Sequence, residues 1–294
     1  MTSSLFDNEE FDFEFWVVAF VDLLGQKEAF LKADFFPEDG DEEAEARLMN
    51  ALEDSIGVID RLHSMLDGFA RGHVEARRTS PGLEGLSKEA QAYVRDTTAN
   101  EVHELRLSDG VVLAASLKPR PGHSPINAIW RIFAAVGTLS LLQLVHGKPL
   151  RGGIDVGTGV LAKGQVFGPA LVKAYQLESD AAKWPRILVG PTLQRYLVSV
   201  ANAPGQDIPT VAGRKLAHDL MAMFWECEDK FTMLDIAGRE FDALAPRFPT
   251  ANAIGAATRF AKESRTRFRN EKNEKLAERY DLLVKYFESP AHRR

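Results

Sequence analysis

The chain has 294 residues, enough for one large core or two modest ones, and its 45% hydrophobic and 27% charged content is that of an ordinary soluble globular protein. Its net charge of −6 offers no general attraction to nucleic acid or to an anionic lipid surface, so neither is an expected partner. The single cysteine, Cys227, excludes an intrachain disulfide and fits a reducing cytoplasm, where it reads as a partly buried apolar filler. Met1 to Glu10 has no basic region ahead of an apolar stretch, so the reading includes no secretory signal and a cytoplasmic location.

Trp16 to Val21 is almost wholly apolar, the pattern of a central strand covered on both faces. It runs into Asp22-Leu23-Leu24-Gly25, and Leu23 to Leu31 starts a helix-like stretch. The acidic segment 38–43 reads as a solvated loop, and Leu48, Leu52, Ile56, Ile59, Leu62 and Leu66 form a helical stripe. From Gly68 to Asn100 the chain is polar and turn-rich, with Arg71, Arg77 and Arg78, and reads as a surface insertion.

Val102–Leu107 and Val111–Ala115 read as two strands joined at Ser108-Asp109-Gly110, a hairpin in which glycine supplies the special backbone angles. Ile126 to Val145 is long and apolar enough to weigh as a membrane span. Asn127, Arg131, Ser140 and Gln143 make it a buried helix instead. Leu150–Val156 is a strand ended by Gly157-Thr158-Gly159, followed by a helix over 170–182 and a strand over 186–189. The tail from Ala251 to Glu288 reads as a helical appendage whose charges form a solvated face. This order predicts an α+β fold, with helices on one face of a mixed sheet.

The chemistry concentrates on two carboxylates, Asp22 and Asp109, each ending an apolar strand with glycine within three residues. Either alone fits a turn or cap residue. Side by side they would repel each other, and a divalent cation with a taste for oxygen ligands removes that penalty. Bare backbone amides at Leu23 to Gly25 suit phosphate oxygens. His103, His123, His146 and His218 show no metal-ligand spacing, and no Walker loop is present.

Read together, these segments resemble the class III nucleotidyl cyclase catalytic domain over roughly 15–240, leaving 241–294 as a helical C-terminal extension. Phe20-Val21-Asp22-Leu23-Leu24-Gly25 is similar to that family's first metal motif and Ser108-Asp109-Gly110 to its second. Arg151 to Gly159 is similar to its Arg-x-Gly-Ile strand, and Gly168 to Ser179 to its dimer-arm helix. The usual purine-reading set is missing. Pro169, Val172 and Gln176 stand where aspartate, asparagine and arginine are usual, and Leu105, beside Arg106, stands at the adenine-reading lysine.

Both metal aspartates kept and the purine set lost is the pattern of the bacterial pyrimidine cyclases of antiphage (Pycsar) defence. The resemblance implies cyclisation of UTP, less readily CTP, with two Mn²⁺ or Mg²⁺ ions per site held by Asp22, Asp109 and the Leu23 carbonyl. It also implies a homodimer and a separate effector that responds to the diffusible product. Nucleotide contacts would come from Phe20, Leu23, Leu24, Gly25, Arg106, Lys173 and Gln176. Lys230 is a further candidate for phosphoryl charge, and Trp16, like Phe20, could stack on a base. Two alternatives stay open: a purine cyclase with displaced base readers, and a silent nucleotide-binding dimer.

Overall fold

A computed structural model describes residues 12–25, 40–50, 83–98, 100–244 and 250–292, with positions 37, 53, 57, 60 and 64 between them. Residues 42–50 are helical, as are 53, 57, 60 and 64, in line with the apolar stripe. The Leu23–Leu31 helix beyond Gly25 and the basic cluster at 71–78 lie outside the described residues.

The frame is a mixed sheet of eight strands. It comprises β1 (Phe13–Leu23), β2 (His103–Arg106), β3 (Gly110–Ser116), β4 (Leu150–Ala162), β5 (Gln165–Phe167), β6 (Ile187–Val189), β7 (Phe224–Glu226) and β8 (Thr232–Leu234). Their order is β2-β3-β1-β4-β6-β8-β7, with β5 paired to β4 off the main path. Only β4 and β6 run parallel among the described pairs. Side-chain alternation divides β1 cleanly. Val17, Ala19, Val21 and Leu23 enter the main core, whereas Trp16 and Val18 point to a second, smaller one on the opposite face.

The helices are α1 (Lys88–Asp96), α2 (Pro125–Val145), α3 (Pro169–Gln176), α4 (Pro191–Ala201), α5 (Ile208–Met221), α6 (Arg239–Leu244), α7 (Thr250–Asn270) and α8 (Glu274–Phe287). Helix α2 is the centre of the main core: Ile129, Ile132, Phe133 and Leu139 are fully buried against the sheet. It is apolar enough to cross a membrane by length and composition, yet 78% of its most apolar stretch is buried inside the protein. Water is excluded by neighbouring elements, not by lipid.

Three expectations need correction. Helices cover both faces of the sheet, because Ala170 and Ala174 of α3 pack on Trp16 and Val18 in the second core. The residues from 83 to 98 are not a surface insertion: Leu83, Ala90 and Val94 are buried, and Ser87 caps α1 by accepting from the Ala90 N–H at 3.2 Å. Buried Asn127 of α2 donates to the carbonyls of Val94 (3.2 Å) and Thr97 (3.0 Å), stitching this segment to the centre. Finally, Gly157-Thr158-Gly159 does not end β4, which continues to Ala162 and turns at Lys163-Gly164.

Those glycines serve packing. A Cβ at Gly157 would stand 3.0 Å from the Ala170 nitrogen, and one at Gly153 would stand 2.5 Å from the Ala174 carbonyl. Without side chains there, α3 lies directly on the sheet. After α3 the backbone widens into a π-turn, Leu177–Ala181.

The C-terminal helices are set into the main core as well. Ala253, Ala257 and Ala261, one per turn of α7, are buried, as are Leu283, Val284 and Tyr286 of α8. Their charges face outward: Asp281 pairs with Arg265 at 3.4 Å and with Arg269 at 2.6 Å.

Candidate active site

Asp22 lies at the end of β1 with its side chain on the α3 face of the sheet. The register sets Asp22 opposite Gly110 of β3 and opposite Arg151 of β4. Two backbone bonds lock this end of the strand. The Leu23 N–H donates to the Asp109 carbonyl at 2.9 Å, and the Leu24 N–H donates to the Pro149 carbonyl at 2.9 Å. The β2–β3 turn that carries Asp109 is thereby held against the residue following Asp22. Gly110 makes the approach feasible, since a Cβ there would meet the Val21 carbonyl oxygen at 2.4 Å. Gly25 turns the chain with φ +91°, a conformation that glycine adopts without strain.

The two aspartates feel each other. Burial, and then the charge of Asp109, push the Asp22 carboxyl up to about 6, against the opposing pull of Arg151. Arg151 reaches Asp22 Oδ2 through an Nη at 3.4 Å, while its Nε lies 2.5 Å from Glu178 Oε1. The second contact is an ion pair without an aligned hydrogen bond, because Arg151 Nε and Glu178 Oε1 both lack a bonding partner of good geometry. Glu178 sits in the π-turn, 3% exposed, and burial raises its carboxyl while Arg151 lowers it. Arg151 therefore bridges Asp22 and Glu178, while the charge of Asp109 pushes both of those carboxyls up. The cluster carries excess negative charge, a condition that favours a cation or a proton.

Of the other sequence-predicted positions, Leu24 and Gly25 continue the turn at the end of β1, while the Leu23 side chain is buried in the main core. Phe20 lies on the acidic face with its ring edge-on to Tyr175, centroids 5.2 Å apart. With Leu105 and Leu107 it borders the second core as a partly exposed apolar shelf. Arg106 is exposed on β2 and pairs with Glu104 at 2.9 Å. Gln176 is exposed at the last position of α3.

Two lysines fall elsewhere. Lys173 donates to the Val156 carbonyl and to Thr192 Oγ1, each at 3.2 Å, beside buried Asp155. Lys230 stands in the β7–β8 turn at the far edge of the sheet. Trp16 is 3% exposed, with His103 edge-on at 5.5 Å, which makes it a packing residue.

Arg151 and Glu178 are the members that reading the sequence assigned no role. The one local signal was Arg151 at the head of the glycine-rich strand, directly before Gly152-Gly153.

The donor set suits a hard divalent cation. Two carboxylates at a crowded negative point are relieved by its charge, and their oxygens match its preference. Among the described residues, no three His, Cys, Asp or Glu side chains are grouped to hold a metal, so any ion there would draw further oxygens from backbone or from bound phosphates. Compared with models of known protein families and with curated protein sequences, the chain matches none.

Proposed function

We propose that this protein is a nucleotidyl cyclase that converts a pyrimidine nucleoside triphosphate, UTP ahead of CTP, into its 3′,5′-cyclic monophosphate and diphosphate. The observation that carries the reading is the meeting of Asp22 and Asp109 at adjacent strand ends, locked by the Leu23–Asp109 backbone bond and electrostatically unsatisfied. The resemblance of these segments to class III cyclases supports the same assignment. In the reaction, the ribose 3′-oxygen bonds to the α-phosphorus as the bond to diphosphate breaks, and the hydroxyl proton is released. Such a displacement demands positioning and electrostatics above all.

Asp22, Asp109 and the Leu23 carbonyl would hold two Mn²⁺ or Mg²⁺ ions, which supply a lowered pKa for the 3′-hydroxyl and an offset for charge on diphosphate. Of the Leu23–Gly25 amides, that of Gly25 would receive phosphate oxygens, since the Leu23 and Leu24 N–H groups donate to the Asp109 and Pro149 carbonyls. Arg151 holds the orientation of Asp22, and Gln176 donates a hydrogen bond. The shelf of Phe20, Leu105 and Leu107 presents an apolar surface to the base and no lysine to read a purine. The product would act in the cytoplasm on a separate effector, as a signal in antiphage defence.

A homodimer belongs to this reading. Val172 and Tyr175 on α3 are about half exposed, as is Phe167 on β5, which provides apolar surface for a second copy. Light scattering should give twice the 32.6 kDa chain mass for the active species.

One observation favours a silent nucleotide-binding dimer instead: Arg151 already sits against Asp22, where a cation would bind. Incubation with each of four nucleoside triphosphates and Mn²⁺, followed by mass spectrometry, separates the readings. Cyclic UMP is the expected product. Conversion of ATP or GTP alone would sink the pyrimidine assignment, and bound but unaltered nucleotide would establish the silent form.

A further inference from the structure

A cavity of about 520 Å³ opens between the β7–β8 hairpin and the end of α8. Its size falls in the ordinary range for small-molecule sites, roughly 300–1,000 Å³. Trp184, Trp225, Leu282, Tyr286 and Pro290 supply apolar and aromatic walls, with the buried Cys227 thiol among them. The charged groups at the cavity each have a partner of opposite sign, while Arg186 Nε has no hydrogen-bond acceptor among the described residues. Arg186 pairs with Asp229 at 2.6 Å, Lys285 with Glu228 at 3.7 Å, and Glu226 with Lys230 at 3.6 Å. An occupant need bring no charge, and two indoles favour a flat one.

Arg186 ties this cavity to the acidic cluster. Its side chain is fully buried and stacks on the Trp184 ring at 4.9 Å. One Nη donates to the Ala181 carbonyl at 2.8 Å, the last residue of the π-turn that carries Glu178. Its own carbonyl accepts from the Gly152 N–H at 3.0 Å, one residue from Arg151. Glu178 and Arg151 are the pair that faces Asp22. A ligand wedged against Trp184 and Arg186 therefore acts on both supports of the acidic cluster, and π-turns of this kind recur at functional sites.

We propose that the cavity is an effector site for a flat, uncharged heteroaromatic molecule, whose binding is transmitted through Arg186 to the π-turn. The proposal does not depend on which nucleotide, if any, is turned over. Quinoline is a suitable probe, with N-methylquinolinium and quinoline-2-carboxylate as charged controls. Tryptophan fluorescence of the full chain should show saturable quinoline binding, weaker for both controls. Leu282→Trp, which fills the cavity, should weaken it by at least about tenfold.

Hydrogen exchange supplies the second readout. Quinoline should slow exchange at the Ala182 amide, which donates to the Leu177 carbonyl at 2.8 Å, and at the Gly152 amide. Leu282→Trp should slow both without ligand. Absence of saturable binding, or binding that Leu282→Trp leaves intact, overturns the site. Tighter binding of a charged control overturns the ligand class. Saturable binding with unchanged exchange at Ala182 overturns the coupling.

Discussion

Asp235 follows the last residue of β8 much as Asp22 precedes the last residue of β1, so both carboxylates leave a strand end for the protein interior. Their surroundings diverge. Asp235 accepts from the Tyr286 hydroxyl at 2.6 Å and from the Ala237 N–H at 3.3 Å, and His292 Nε2 lies 3.0 Å away. Gly238 closes over it, leaving no room for a Cβ. Asp22 has Asp109 for a neighbour and a share of one arginine. Glu14, on the Asp22 face at the other end of β1, follows the Asp235 pattern, held by Ser116, Lys118 and Arg120. Complete satisfaction marks a carboxylate that fastens the fold, and unrelieved charge marks one that awaits a ligand.

The sharpest way to break this comparison is to remove each aspartate in turn. Asp22→Ala or Asp109→Ala should lower cyclase turnover by about three orders of magnitude, some 4 kcal/mol of barrier. Neither change should lower the melting temperature, because relief of repulsion offsets the lost contacts. Near-full turnover of either variant at saturating Mn²⁺ would end the metal-site assignment.

Asp235→Ala should do the reverse. It strands the Tyr286 hydroxyl and His292, so chemical denaturation should show a loss of roughly 3 kcal/mol. Turnover per folded molecule should stay within about threefold of wild type, since the site is untouched. A stable but inactive Asp235→Ala protein would contradict the division of roles.

The third test is pH. The folded state holds a proton on Asp22 up to about pH 6, whereas the unfolded chain releases it near 3.8. Between those values the native state binds more protons, so stability falls as pH rises through the window, by about 2 kcal/mol after allowance for solvent screening. Urea titrations across this range should show the slope in wild type and not in Asp22→Asn. Added Mn²⁺ should flatten it from the alkaline side.

The smallest effect concerns the segment that reads as polar and surface-bound. Ser87→Ala removes the α1 cap and should cost about 1 kcal/mol, measurable by thermal denaturation, with turnover unaltered. No loss would mean that this helix is held by Asn127 and its buried residues alone.

What the sequence made legible was whatever depends on local pattern. The apolar run before Asp22 predicted a central strand and the Ser108-Asp109-Gly110 turn a two-stranded hairpin, and β1, β2 and β3 form there. The buried α2 was readable from its length and its few polar residues. Helix α1 was not, because its inward face is only Ala90 and Val94 amid charged neighbours. The glycines of β4 misled for a physical reason: they make room for α3, and a sequence shows a missing side chain without showing what fills the space. Arg151 and Glu178 meet only after β4 has paired with β1 and the π-turn has settled over Gly153. No local spacing encodes that encounter.

The pairing of Asp22 with Gly110 and Arg151 makes the acidic cluster a matter of parity. Within β1 the even positions from Trp16 to Asp22 share one face and the odd positions the other. Inserting or deleting one residue inside this stretch would turn Asp22 inward among α2 side chains and swing an apolar neighbour into its place. Two residues would restore the orientation while shifting the strand against its partners. Length variation in β1 is therefore confined to positions before Trp16, and a chain with this site can drift at the start of its first strand but not along the rest of it.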